Sequence, residues 1–213
     1  MEDVFEIIGK KRLMPVLTVD RVDDAVPIAE ALIAGGLPVA EVTFRTEAAA
    51  KVIAAMSRVP GLFLGAGTVL QPDQIDQAID LGARFALAPG FNPKVAARAL
   101  ERNFPFIPGV CTPSEIGFAI EMGFSVLKFF PAEPAGGTTY LKAVHAPFRG
   151  VRFVPTGSIG LEQLPAYLEL PFVLAVGGSW MVAPKLIKER NFTEITRLTH
   201  AAVEVVAKVP NLL

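Results

Sequence analysis

The sequence predicts an α/β protein, a single (β/α)8 TIM barrel over residues 1–213 with an additional N-terminal helix, and three observations carry that expectation. Eight short runs rich in β-branched and aromatic residues alternate with Ala/Leu/Glu-rich segments of helical periodicity. The runs recur roughly every 20 to 25 residues, about the length a βα unit needs. No GxGxxG follows the first run, and the glycine-rich turns come late in the chain, which argues against an open doubly wound sheet.

Taken in order, a helix is expected around residues 4–8 and the first strand at 13–19, followed by a helix at 22–34. The second and third units pair strands 39–45 and 62–69 with helices 47–57 and 72–81. Strands 85–91 and 105–110 lead into helices 93–101 and 113–122. Strands 126–132, 151–158 and 172–179 follow, with helices at 161–168 and, at the end of the chain, 193–207. Start signals support several of these. Pro72, Pro93 and Pro113 fall in first turns after Gln71, Asn92 and Thr112, and Gly35, Gly82 and Gly123 follow helix ends.

Composition narrows the function. A 52% hydrophobic content fills a sizeable core, and 20 basic against 21 acidic residues, with no basic block, leave no electrostatic footprint for nucleic acid. With Cys111 as the only cysteine, an internal disulfide, a thiolate zinc site and a CxxC pair are all excluded, and a reducing compartment is expected. The acidic start Met1-Glu2-Asp3-Val4-Phe5 lacks a signal core, so a cytoplasmic protein is expected. The longest uncharged stretch, 170–185, is too short and too broken by Pro171, Gly177, Gly178 and Pro184 to span a bilayer, and reads as a buried strand and its loop. A small-molecule substrate is the expected partner.

Lys128 carries the sharpest signal, because Val126-Leu127-Lys128-Phe129-Phe130-Pro131 surrounds an amine with apolar residues. Out of water the ammonium form is disfavoured, and the free amine is a nucleophile toward carbonyls. The bland alternative is a lysine whose stem lies on apolar surface while its head reaches water. On strand two, alternation puts Glu41, Thr43 and Arg45 on one face. Charges there are costly unless paired or used, and a Glu41–Arg45 ion pair serving structure alone is the competing reading.

In a closed barrel Lys128 enters the interior beside Glu41 and Arg45. A carboxylate near the amine moves protons, and Arg45 suits a planar carboxylate, so together they fit a 2-oxo acid. Thr68, in Gly65-Ala66-Gly67-Thr68-Val69, adds a hydroxyl donor or else caps the next helix. The turns Pro155-Thr156-Gly157-Ser158 and Gly177-Gly178-Ser179-Trp180 present backbone N–H groups where barrels often bind phosphate, although glycine at a turn is commonly a conformational requirement. Trp180 and Cys111 read as packing, and His145 and His200 lie away from every strand mouth.

These segments together resemble the class I 2-keto-3-deoxy-6-phosphogluconate (KDPG) and 4-hydroxy-2-oxoglutarate (KHG) aldolases. The motifs are Glu41-Val42-Thr43-Phe44-Arg45-Thr46, Gly65-Ala66-Gly67-Thr68-Val69, Pro108-Gly109-Val110, Lys128-Phe129-Phe130-Pro131-Ala132-Glu133, Pro155-Thr156-Gly157 and Gly177-Gly178-Ser179-Trp180. The resemblance implies a homotrimer in which Lys128 forms a Schiff base with pyruvate or a phosphorylated 2-oxo-3-deoxy sugar acid, with Glu41 as general acid/base. It further implies that Arg45 and Thr68 hold the pyruvoyl carboxylate, that Pro89 and Phe130 line the pocket, and that Thr156, Gly157, Ser158, Gly178 and Ser179 surround the distal phosphate. No metal and no cofactor are expected, since an iminium itself stabilises the carbanion. One departure stands out: the family reads Pro-Thr-Gly-Gly-Ile where this chain has Ser158. A phosphate-binding isomerase or epimerase, and a non-catalytic sugar-phosphate binding protein, are the alternative readings.

Overall fold

The computed structural model describes residues 3–212; Met1, Glu2 and Leu213, which the expected domain 1–213 includes, lie outside the described residues. All strand pairs in the two sheets are parallel. The strands are β1 (Leu13–Leu17), β2 (Val39–Thr43), β3 (Phe63–Gly67), β4 (Phe85–Leu87), β5 (Phe106–Ile107), β6 (Gly109–Val110), β7 (Val126–Phe129), β8 (Arg152–Pro155) and β9 (Val176–Gly178). One sheet has the order β5-β4-β3-β2-β1-β9 and the other β6-β7-β8. Between the last two strands the backbone forms isolated parallel bridges, Phe153 with Val173 and Thr156 with Gly177.

The expected fifth strand, 105–110, is divided at Pro108. Proline has no N–H to give to a ladder. Its carbonyl still accepts from Lys128 N–H at 2.9 Å, while Ile107 O accepts from Ala88 N–H at 3.2 Å, so the chain changes partner across this residue. Strands are also shorter than their apolar runs. Pro89 and Pro131 stop the fourth and sixth soon after Leu87 and Phe129, and residues such as Thr18, Arg45 and Thr68 stand beyond the strand ends, in the loops.

Helices α1 (Val4–Lys11), α2 (Ala25–Ala34), α3 (Ala49–Met56), α4 (Asp73–Asp80), α5 (Pro93–Glu101), α6 (Pro113–Glu121), α7 (Gly137–His145), α8 (Leu164–Leu168), α9 (Pro184–Lys188) and α10 (Phe192–Lys208) fill the connections. A single 3₁₀ turn, Val22–Asp24, opens the segment expected as one helix at 22–34. Helix α6 begins with a capping box in which Thr112 accepts from Glu115 N–H and Glu115 accepts from Thr112 N–H. After α2 the left-handed residue is Gly36, φ +86°, rather than Gly35. Gly35 instead lets α10 approach: a Cβ there would lie 2.6 Å from Thr199 Cβ. The alternation of apolar runs did not mark α7 or α9.

The strand residues that face outward pack beneath the helices. Val95, Ala96 and Ala99 of α5 meet Ala86 and Phe106, and Ile28, Ala29 and Leu32 of α2 join the larger core with Val39 and Val42. Arg12 is buried without a carboxylate partner among the described residues. Its guanidinium donates to the carbonyls of Leu168 (2.9 Å), Val209 (2.6 Å) and Pro210 (3.0 Å), which fastens the segment after α10 beneath β1. Desolvation pushes its pKa below the usual arginine value.

Candidate active site

Glu41 stands mid-strand in β2, a position whose period of two turns it inward between the outward Ala40 and Val42. Lys128 does the same in β7. Its Nζ lies 2.9 Å from Glu41 Oε1 and 3.1 Å from Oε2, with the lysine 3% and the glutamate 0% exposed. Gly67, on the neighbouring β3, makes room for the carboxylate: a Cβ there would fall 2.0 Å from Oε1. Such a pair costs several kcal/mol per ion in desolvation, largely repaid by mutual attraction and hydrogen bonding, so its retention in a core suggests use. Glu41 therefore pairs with Lys128, as the expected convergence of the two requires, and the competing reading of a Glu41–Arg45 ion pair is not what forms: Arg45 Nε donates to Thr68 instead.

Arg45 and Thr43 do not stay together on one strand face. Strand β2 ends at Thr43, which is fully buried and donates to the Leu17 carbonyl at 2.8 Å. Arg45 lies beyond it, exposed, with Nε donating to Thr68 Oγ1 at 3.1 Å. Thr68 adopts φ +55°, a left-handed conformation that a β-branched residue rarely takes.

Arg45 forms one side of a cavity of about 350 Å³ at the C-terminal ends of the strands. All five residues expected around a distal phosphate, Thr156, Gly157, Ser158, Gly178 and Ser179, line it, as does Phe130, whose ring centroid is 5.9 Å from Lys128 Nζ. Pro89 does not line this cavity; its backbone packs against Gly109, where a Cβ would meet it at 2.3 Å. Gly157 and Ser158 both have positive φ, +115° and +60°, so the serine at 158 occupies a strained backbone position. The turn is tied to the loop after β7: Ala132 N–H donates to Thr156 O at 2.8 Å and Glu133 N–H to Gly157 O at 3.1 Å. Glu133 in turn accepts from the hydroxyl of the buried Tyr167, whose pKa is raised by desolvation and by that bond.

Elsewhere, Cys111 is half-buried with its N–H donating to Glu115, and burial pushes its thiol pKa up. His145 stacks on Phe172, and His200 sits on α10. Among the described residues there is no cluster of three His, Cys, Asp or Glu side chains able to hold a metal, and no helix long and apolar enough to cross a membrane. Val16 and Thr18 also line the cavity and were not singled out from sequence, although their alternation in the first strand, 13–19, places them on one face.

Residues 4–198 match the family model described as KDPG and KHG aldolase. The chain is 48% identical over 207 residues to the 2-dehydro-3-deoxy-phosphogluconate aldolase of Treponema pallidum, an overlap of 97% of this chain and 99% of the relative. Among solved structures it is similar to the Zymomonas mobilis 2-keto-3-deoxy-6-phosphogluconate aldolase with 3-phosphoglycerate (TM-score 0.89, 41% identity, 94% and 95% coverage). It is likewise similar to the Legionella pneumophila KDPG aldolase with pyruvate captured at low pH as a covalent carbinolamine intermediate (TM-score 0.90, 40% identity, 93% and 97% coverage).

Proposed function

Because this chain belongs to the KDPG and KHG aldolase family, we propose that it is a lyase that cleaves 2-dehydro-3-deoxy-6-phosphogluconate to pyruvate and glyceraldehyde 3-phosphate through a Schiff base on Lys128, and 4-hydroxy-2-oxoglutarate to pyruvate and glyoxylate. The observation that carries this reading is the buried Lys128–Glu41 contact at 2.9 Å, an amine and a proton acceptor in one water-poor site.

In the proposed reaction the Lys128 amine attacks the C2 carbonyl to give a carbinolamine, and loss of water gives an iminium. Glu41, directly or through one water, takes the proton of the C4 hydroxyl. The C3–C4 bond then breaks, its electron pair passes into the enamine of pyruvate, and the aldehyde leaves. Protonation at C3 and hydrolysis return pyruvate and the free amine. Arg45 and Thr68 hold the carboxylate of the oxo acid, Phe130 walls the reacting carbons, and Thr156, Gly157, Ser158, Gly178 and Ser179 receive the phosphate.

We take β5 and β6 as one strand interrupted at Pro108, and the bridges from β8 toward β9 as the seam of a closed (β/α)8 barrel forming a single domain. Helix α1 then sits at the opposite end from the cavity, since Val4 and Ile7 border a groove with Leu62, Phe63 and Pro105 at the strand starts. A homotrimer is supported by exposed apolar surface on α6, where Phe118 is 56% exposed with its ring stacked on Phe91. A cytoplasmic location fits the reduced lone cysteine of a metabolic enzyme.

Borohydride reduction in the presence of pyruvate, read by peptide mass spectrometry, tests the reading. A reduced pyruvyl adduct confined to Lys128 is expected. Folded protein saturated with pyruvate and carrying no adduct would overturn the Schiff-base mechanism and restore the isomerase and binding-protein readings.

A further inference from the structure

Strand β1 lies between the two strands that carry opposite ends of the site. It pairs with β2 through Val16↔Glu41 and Leu17↔Val42, and with β9 through Met14↔Gly177 and Pro15↔Gly178. Val16 and Thr18 face the cavity that also contains Arg45 and the turns at Ser158 and Ser179. A ligand stretching from Arg45 to those turns therefore runs alongside Val16 and Thr18, and between these two only Thr18 offers its side chain as a polar partner.

The local hydrogen bonds fix what that atom can do. Thr43 is fully buried and its hydroxyl donates to the Leu17 carbonyl at 2.8 Å, while the Thr18 and Thr43 hydroxyl oxygens are 3.1 Å apart. A hydroxyl has one proton, and a carbonyl cannot donate, so Thr18 is the donor to Thr43. What Thr18 Oγ1 has left for the cavity is lone pairs. Such an atom accepts from an O–H group and repels the oxygens of a carboxylate.

We propose that Thr18 determines substrate preference, accepting a hydrogen bond from the C5 hydroxyl of the phosphorylated 2-oxo-3-deoxy sugar acid and disfavouring 4-hydroxy-2-oxoglutarate, whose C5 is a carboxylate with no proton to give. The inference rests on the aldolase reading above and deepens it. Lys128 and Glu41 act alike on both substrates, so they do not discriminate at C5; Thr18 does.

The test is steady-state kinetics with both substrates on the intact protein and on Thr18→Val, Thr18→Ala and Thr18→Ser, each also trapped with pyruvate and borohydride. Valine is nearly isosteric, and Thr43 keeps its bond to Leu17. The ratio of kcat/KM for the sugar acid over the dicarboxylate is expected to fall about tenfold in Thr18→Val, the worth of one hydrogen bond in a transition state. Thr18→Ala shifts it in the same direction and Thr18→Ser restores it, with trapping on Lys128 retained throughout. An unchanged ratio in both Thr18→Val and Thr18→Ala, whether the two activities hold or fall together, overturns the role of Thr18 and leaves the aldolase reading intact. Wild-type protein that traps no pyruvate and cleaves neither substrate overturns both.

Discussion

Arg45 donates its Nε–H to the hydroxyl of Thr68 at 3.1 Å, and Thr68 meets it from a left-handed backbone of φ +55°. A β-branched residue held there stores about 1–3 kcal/mol of strain, which persists only where surrounding structure enforces it. The strained residue is the one that steadies an exposed guanidinium.

Thr68→Gly removes strain and acceptor together. Stability is expected to stay within about 1 kcal/mol of wild type, because relieved strain offsets the greater freedom glycine gains in the unfolded chain. KM for either aldol substrate is expected to rise about tenfold through loss of one hydrogen bond and of Arg45 orientation. Urea unfolding and steady-state kinetics read the two effects separately, and an unaltered KM would mean that Arg45 does not depend on Thr68.

Lys128→Ala is expected to form no pyruvyl adduct and to lose about 3–5 kcal/mol of stability, because it leaves the buried Glu41 carboxyl without its partner. Adding Glu41→Gln to Lys128→Ala should recover part of that loss. Glu41→Gln alone should still trap pyruvate while slowing cleavage. A double-mutant cycle by denaturant unfolding checks the coupling, and strict additivity would deny it.

Much of this arrangement was legible in the sequence because two inward-facing charges on apolar strands have few uses. Lys128 and Glu41 meet as the alternation in 126–132 and 39–45 implied. Alternation continued past Thr43 puts Arg45 on the strand face, but the strand has already ended there and Arg45 reaches the cavity from a loop instead. Pro108 was visible as a residue that cannot donate to a ladder, yet the apolar run around it masked the break between β5 and β6. Nothing in the sequence marks Thr18, since a lone threonine carries no charge, and only its contact with Thr43, whose own proton goes to the Leu17 carbonyl, fixes which way its proton points.

Gly178→Ala drives a methyl group into an indole: the added Cβ would lie 1.9 Å from Trp180 Cζ3. Overpacking of this kind costs about 1–3 kcal/mol. Since Trp180 is the single tryptophan of the chain, its displacement is expected to shift the intrinsic emission to the red. An unshifted spectrum would mean that the turn, rather than the ring, gives way.

His145 lies against Phe172, ring centroids 3.7 Å apart, with Phe153 edge-on. Burial, and then the charge of Arg149, lower its pKa below the ordinary 6.5. Between the unfolded value and the depressed folded one the unfolded chain binds the extra proton, so stability present above about pH 6.5 is lost as pH falls through that window. His145→Phe should therefore lose less stability between about pH 7.5 and 5 than wild type does. Unfolding midpoints at the two pH values decide it, and parallel losses would assign the acid sensitivity to other groups.

The bonds from Ala132 and Glu133 to the carbonyls of Thr156 and Gly157, with Thr156 N–H donating to Phe129 O at 2.9 Å, connect the segment that follows Lys128 to the neighbouring turn through main chain alone. No rotamer intervenes between these two backbone stretches, so the strand end that bears Lys128 and the turn at Gly157 keep a nearly fixed span, as the arms of a calliper do. A molecule fastened covalently to Lys128 and by a terminal phosphate at the turn is gauged for length, and a phosphorylated homologue one carbon longer or shorter is taken up only by bending its own chain or the lysine stem.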